Sequence, residues 1–323
     1  MKSKEKFSEF FRHERSTGFP SFFNDANLKV YIAGLDERAP DNKSGKDFFG
    51  CTWVYDPMGA AAVPDTSVTP ILEDICDWRE KVVFPDLESV DWEQKAVEAG
   101  VPDFDPDKIN YFMLLEGPFE RLHTLMGFEN ALCAMLTDPD EVSAFFDRLT
   151  EMKCREMEIL RKYYKAEVIC FHDDWGTQKN MFFSPDLWRE LIKPQIKKIA
   201  AHCHELGMFF EMHSCGKMDQ IIPEFPEIGI DSFQGQGIND IVSAMEKTGN
   251  TLSYNITPRY QYLEAAAAAG TLTEEEVRTK IREEIMDCAE HGIYTPSFLP
   301  ASSWWFPIAL DEAAKCEKQL FAK

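Results

Sequence analysis

Positive charge is scarce in this sequence. Against 56 Asp plus Glu stand only 34 Lys plus Arg, leaving a formal net charge of −22 over 323 residues. So acidic a chain offers no electrostatic footprint for a polyanion, which excludes nucleic acid as a partner. Long apolar runs are also missing, and no stretch approaches the roughly 20 residues that a membrane span needs. The N-terminus, MKSKEKFSEFFRHERS, places Phe7, Phe10 and Phe11 on one helical face but lacks the continuous apolar core of a signal peptide. No disulfide frame is legible, because the nine Cys (51, 76, 133, 154, 170, 203, 215, 288 and 316) are odd in number and scattered. The expectation is a soluble, cytoplasmic protein with reduced thiols.

What is present is a core and a rhythm. Hydrophobic residues make up 44% of the chain and aromatic residues 13%, enough to bury a sizeable interior and to exclude an acidic disordered chain. Short apolar strands alternate with amphipathic helices. Asp138-Pro139-Asp140-Glu141 reads as a helix start, followed by Val142, Phe145, Phe146, Leu149 and Met152 at helical spacing. Ser184-Pro185 opens a second helix that Gly207 stops, and Thr273 with Glu276 opens a third that runs to about Gly292. The Ala265–Ala269 run suits a surface helix. Strands are expected at Tyr111–Leu115, Val168–Phe171, Met208–Met212, Ile230–Phe233, Thr251–Tyr254 and Ile293–Tyr294.

Strands separated by helices imply parallel crossovers, and so many units without a linker favour a closed barrel. The fold class is therefore α/β, a single (β/α)8 TIM barrel with an N-terminal extension. One domain spans 1–323. Residues 1–109, punctuated by Pro57, Pro64, Pro70, Pro85 and Pro102, form a less regular part that caps the barrel and contributes its first strand, and 110–323 form the barrel core.

In such a barrel the chemistry sits just beyond the strand ends. Those positions carry Glu116-Gly117-Pro118, His172-Asp173-Asp174-Trp175-Gly176, His213-Ser214-Cys215-Gly216, Gln234-Gly235-Gln236-Gly237, Asn255 and Ser302-Ser303-Trp304-Trp305. His213 and Cys215, two apart in extended backbone, project to the same side and can reach one ion. The bland alternative is a loop His bonded to backbone beside an inert Cys. A catalytic zinc site normally has three protein ligands, so Glu116, Asp173, Asp174 or Glu211 is needed to complete it, with Gln234 and Gln236 as weaker donors. Asp173 and Asp174 suit general acid/base work if burial raises one pKa, or else one of them pins its loop to the next helix. Trp175, Trp304 and Trp305 would line an apolar pocket for a flat ligand, or cover the barrel rim.

At these residues the sequence resembles the uroporphyrinogen decarboxylase superfamily. The resemblance rests on the series from Asp173-Asp174-Trp175-Gly176-Thr177-Gln178 through Ser184-Pro185, Pro194, Gly207 and His213-Ser214-Cys215-Gly216 to Gly229-Ile230-Asp231, preceded by Glu116-Gly117-Pro118. It covers roughly residues 110–300 and implies a single (β/α)8 barrel. Two chemistries are known in that superfamily. The decarboxylases use an Asp for pyrrole N–H groups and Arg residues for the substrate's carboxylates; their Arg-Gln-Ala-Gly-Arg-Tyr signature is absent, and residues 46–66 contain no Arg. The corrinoid-dependent methyltransferases of the coenzyme-M type bind zinc through H-x-C and a later Cys. His213 and Cys215 match, whereas the final-strand region reads Pro296-Ser297-Phe298-Leu299-Pro300. Members acting as O-demethylases fit that departure better.

The resemblance thus implies a methyltransferase that moves a methyl group between a small substrate, such as a methoxylated aromatic, and a corrinoid-binding partner protein. Zinc would be held by His213 and Cys215 with an acid. Asp174 and His213 would be catalytic, Asp174 orienting or protonating the leaving group. Glu116, Asp173, Trp175, Gln236, Asn255, Trp304 and Trp305 would meet substrate. The alternatives are a uroporphyrinogen decarboxylase and a non-catalytic ligand-binding barrel.

Overall fold

The structure, a computed structural model, describes residues 3–14, 17–39, 43–57, 61–298 and 303–322. Ten strands occur among them: β1 (Ala26–Lys29), β2 (Gly45–Lys46), β3 (Thr52–Asp56), β4 (Ala61–Pro64), β5 (Ile109–Leu114), β6 (Val168–His172), β7 (Phe209–His213), β8 (Ser232–Gln236), β9 (Ser253–Thr257) and β10 (Ile293–Pro296). Seven make one parallel sheet in the order β1-β5-β6-β7-β8-β9-β10, and β2, β3 and β4 form a small antiparallel sheet. The N-terminal part does contribute the first strand. Every residue of β6 is buried, as expected for a parallel strand covered on both faces.

The helices start and stop where local chemistry dictates. Ser184 caps its helix by accepting from the Leu187 N–H, Thr273 does the same for Glu276, and Gly207, at φ 69°, takes the left-handed turn that ends the helix Lys193–Glu205. Pro139 opens the long helix Pro139–Tyr163, whose Val142, Phe145, Phe146, Leu149 and Met152 are all buried. The Ala-rich run lies in the helix Tyr260–Ala268.

The large sheet is curled. Tyr111 of β5 and Asn255 of β9 both hydrogen-bond the Glu211 carboxylate of β7, so side chains from well-separated strands meet inside it. Eight strands were expected, but the described residues show seven, with β1 and β10 at the edges. Between those edges runs the segment Phe19–Asp25. The Pro20 carbonyl accepts from Thr295 of β10, and the turn of helix Phe22–Asp25 leads directly into β1. At the opposite end from the strand termini that carry the polar residues, the helix Ser3–Phe11 packs on the strand beginnings. Phe11 stacks on Phe209, Phe7 meets Tyr111, and the Phe10 carbonyl accepts from Ser253. Among the described residues no helix is long and apolar enough to cross a membrane.

From β6 onward the strands extend further than the apolar runs suggested. His172, His213, Gln234, Gln236 and Asn255, expected in loops, are strand residues.

Candidate metal centre

Parallel pairing of β6 with β7 puts His172 opposite His213, each the last residue of its strand. Their rings stack with centroids 4.3 Å apart and an interplanar angle of 18°. The loop after β6 brings in Asp174, whose Oδ1 accepts the Cys215 backbone N–H at 2.6 Å and lies 3.7 Å from His213 Nε2. His172, Asp174 and His213 each offer one ligand atom, all within 4.8 Å of one another, and form the one such group among the described residues. Cys215 stands beside this group, its Sγ 3.5 Å from His213 Nε2, and Gln236 Nε2 donates to that sulfur at 3.6 Å.

Outer partners orient both imidazoles. His172 Nδ1 lies 2.9 Å from Glu120 Oε2, and His213 Nδ1 lies 2.7 Å from Gln234 Oε1. A carboxylate or amide oxygen against Nδ1 makes that nitrogen the donor and leaves Nε2 for a ligand, the arrangement that second-shell acceptors impose on metal-binding histidines. Two imidazoles and a carboxylate are a donor set that suits zinc.

Burial and neighbouring charge drive the two histidines apart. Burial and the adjacent His172 pull His213 down to about 4, so it is neutral at physiological pH and available as a ligand. Burial also pulls on His172, but the Glu120 and Asp174 carboxylates outweigh it and leave its pKa raised. Burial alone would raise Asp174. His172, His213, the Cys215 N–H and Arg38 reverse that and hold it below the usual carboxylate range. Asp174 is therefore ionised, which suits a ligand or an orienting group and not a proton donor. Burial, Asp174 and Glu120 push the Cys215 thiol up, so without a cation beside it the sulfur stays protonated.

The other expected site residues separate into supporting and structural positions. Glu116, a non-glycine residue at φ 55°, is buried; its Oε1 accepts from Arg38 at 2.6 Å and its Oε2 from Thr124 at 2.9 Å. Burial opposes its ionisation, but Arg38, Arg121 and His123 prevail and hold it down to about 2. Arg38 also donates to Glu120, so Glu116 supports the His172 partner from one step away and does not touch the cluster. Asn255 is buried and donates to Glu211, and Gln236 receives the Gly216 N–H besides contacting Cys215.

Three expectations need correction. Asp173 does not face a substrate space: fully buried, it accepts the Phe119 and Glu120 N–H groups at the start of the helix Pro118–Met126, and the Trp175 indole N–H. Trp175 is a core residue, packed against Trp188 and Phe225. Trp305 is likewise buried, against Tyr260 and Phe306, with its indole N–H on Glu264. Trp304 is 50% exposed on the surface. Ser302, Leu299 and Pro300 lie outside the described residues. The residues that sequence reasoning missed are His172 as a cluster member and Glu120 and Arg38 as its support. The usable signal for His172 was a histidine directly before an acidic pair at a strand end.

A curled, parallel seven-stranded sheet with polar side chains gathered at the carboxyl ends of adjacent strands is a TIM-barrel-like α/β arrangement. Residues 17–284 match the family described as uroporphyrinogen decarboxylase (URO-D), and the chain belongs to that family. No curated protein matches the chain in sequence. Among solved structures, a methyltransferase from Methanosarcina mazei is similar over 100% of both chains with a TM-score of 0.71 at 14% identity, a likeness of fold. An amidohydrolase (14% identity, 54% of this chain and 45% of that one, TM-score 0.34) and the YdjI aldolase from Escherichia coli K12 (9% identity, 72% and 85%, TM-score 0.24) share too little geometry to inform the site.

Proposed function

We propose that this protein is a methyltransferase that passes a methyl group between a small substrate, a methoxylated aromatic or similar, and a corrinoid carried by a separate protein, with zinc held by His172, Asp174 and His213 beside Cys215. The observation that carries the reading is the two-histidine, one-carboxylate cluster at the ends of β6 and β7, with Nδ1 of each ring against an acceptor. Zinc held there would supply a Lewis acid for the heteroatom that bears the methyl group. The protein's own part is to keep His213 neutral, to keep Asp174 ionised and oriented by the Cys215 N–H, and to hold Cys215 within reach.

The nearest link between the cluster and open space runs through Arg38, and none of His172, Asp174, His213 or Cys215 lines the cavity that Arg38 borders. A cavity of about 490 Å³ is lined by Tyr31, Ile32, Arg38, Met113 and Leu115 among others, and Arg38 connects it through Glu120 to His172. Trp175 and Trp305 are buried and do not line that cavity. The paired acids around Arg38 suit a neutral group better than a polycarboxylate, which speaks against a porphyrinogen. We read the sheet as a (β/α)8-type barrel in which Phe19–Asp25 stands where the remaining strand would run, and the chain 1–323 as one domain.

The test is to mix the purified protein with reduced corrinoid protein and a panel of methoxylated aromatics, methylamines and methylated thiols. The expected result is the spectral change that accompanies methylation of cobalt(I). Silence across the panel together with turnover of uroporphyrinogen would reverse the reading in favour of a decarboxylase. Binding of a ligand without turnover of any of these would make the protein a non-catalytic barrel.

A further inference from the structure

We infer that Glu211 and Gln234 are positioning residues that fix which ring nitrogen of His213 carries its proton. The inference rests on the reading of His172, Asp174 and His213 as a metal site, and names what prepares that site before any metal arrives.

Glu211 is fully buried in the middle of the sheet and gathers donors from three other strands. Its Oε1 accepts from Ser232 Oγ at 2.8 Å and Asn255 Nδ2 at 3.1 Å; its Oε2 accepts from the Tyr111 hydroxyl, from Gln234 Nε2 at 3.1 Å and from Asn255 Nδ2 at 3.3 Å. Burial raises the Glu211 pKa, but Ser232, Asn255 and Tyr111 all donate to its two oxygens, so it faces Gln234 as an acceptor and leaves the amide one favourable orientation. The NH2 must face Glu211, where it also donates to the Tyr111 oxygen at 3.1 Å, because an amide oxygen turned toward those acceptors would be repelled. Gln234 Oε1 is thereby aimed at His213 Nδ1, 2.7 Å away.

The consequence for His213 is a choice between two acceptors. Gln234 Oε1 competes for the ring proton on the Nδ1 side, and Asp174 Oδ1, 3.7 Å from Nε2, competes on the other. The shorter contact decides for Nδ1–H. Nε2 then keeps its lone pair, and the Cys215 thiol, 3.5 Å away, is placed to donate to it. Without Gln234 the Asp174 carboxylate would draw the proton to Nε2, and a metal would first have to reverse that tautomer.

The experiment uses metal-free, 15N-imidazole-labelled full-length protein at neutral pH, where long-range 1H–15N correlation distinguishes the two tautomers. In the wild type His213 is expected as Nδ1–H. In Gln234→Leu, a change at a half-buried position, the proton moves to Nε2, and zinc affinity measured by chelator competition falls roughly 10–100-fold, the usual effect of losing a second-shell partner. Ser232→Ala removes a donor from Glu211 without touching Gln234, and is expected to leave the tautomer unchanged; a shift in Ser232→Ala equal to that in Gln234→Leu would make the effect general disruption of the core and overturn the assignment. An Nε2–H tautomer in the wild type, or an unaltered tautomer in Gln234→Leu, would also overturn it. A wild type that shows Nδ1–H and shifts as expected in Gln234→Leu, yet holds no zinc, supports the positioning role and overturns the metal reading.

Discussion

His172 and His213 stack ring on ring at 4.3 Å, yet the protein drives their protonation in opposite directions. Two imidazolium ions could not share that contact, and the surroundings decide which ring gives way. Glu120 and Asp174 flank His172, whereas His213 has the neutral Gln234 amide on its Nδ1.

The first prediction concerns pH in the metal-free protein. For a base whose pKa falls on folding, from 6.5 to about 4 at His213, the stabilising effect is complete above 6.5 and is lost as the pH drops toward 4, because the unfolded chain takes up the proton first. His172 has the opposite sign: its raised pKa stabilises below 6.5 and that contribution disappears as the pH rises through the folded value. An NMR titration is expected to show the His213 ring neutral at pH 6. A His213 midpoint at or above 6.5 would contradict the electrostatic account of the cluster.

The second prediction separates the ligands. Zinc content after dialysis should collapse in His172→Ala, Asp174→Asn and His213→Ala, whose ligand atoms lie within 4.8 Å of one another. Cys215→Ala, removing a sulfur 3.5 Å from His213 Nε2 but outside that group, should retain more metal than any of the three. The reverse order, with metal lost in Cys215→Ala and kept in His172→Ala, would return the centre to an H-x-C type.

The H-x-C pair was legible because two residues apart on one extended strand share a side, which is a one-dimensional rule. His172 was not, because its closeness to His213 depends on the register between β6 and β7, and no single segment encodes that. The strands were placed correctly in order, but those from β6 onward ended early, since hydrophobicity stops where the interior of the sheet turns polar at Gln234, Gln236 and Asn255. Trp175 and Trp305 misled for a related reason. An aromatic residue beyond a strand end can turn toward the mouth or outward into the helical layer, and Trp175 turns outward to Trp188. The small sheet of β2, β3 and β4 has strands of only two to five residues, too short for a periodic signal.

A third prediction tests the loop that presents Cys215. Gly216 sits at φ 100°, and a Cβ there would come within 2.2 Å of the Gly176 carbonyl carbon, backbone against backbone. Neither the conformation nor the clash can be relieved by a side chain moving aside. Gly216→Ala is expected to destabilise the protein by more than about 2 kcal/mol in urea unfolding and to weaken zinc binding, since the two loops carry Asp174 and Cys215. Unchanged stability would mean that the loops are not in contact.

The last prediction concerns the buried ion network that ties Glu37 and Asp47 to the helices Pro118–Met126 and Pro139–Tyr163. Arg121, fully buried, donates to Asp47 Oδ2 at 2.7 Å and to the Glu37 carbonyl at 2.6 Å, while Lys153 donates to the Leu115 carbonyl at 2.8 Å and pairs with Glu37. Arg121→Met takes the cation from Asp47, leaving it the Phe49, Cys51 and Trp53 N–H donors, and from one side of Glu37, and breaking a buried pair from one side costs about 3–5 kcal/mol. Arg79→Met, removing a solvent-exposed partner of Glu141, should cost within about 1 kcal/mol. The contrast has a functional arm, because Arg38 follows Glu37 directly and holds the Glu120 that orients His172. Arg121→Met should therefore lower zinc affinity as well as the urea midpoint, and Arg79→Met neither. Equal effects of the two substitutions would show that the network does not position Arg38.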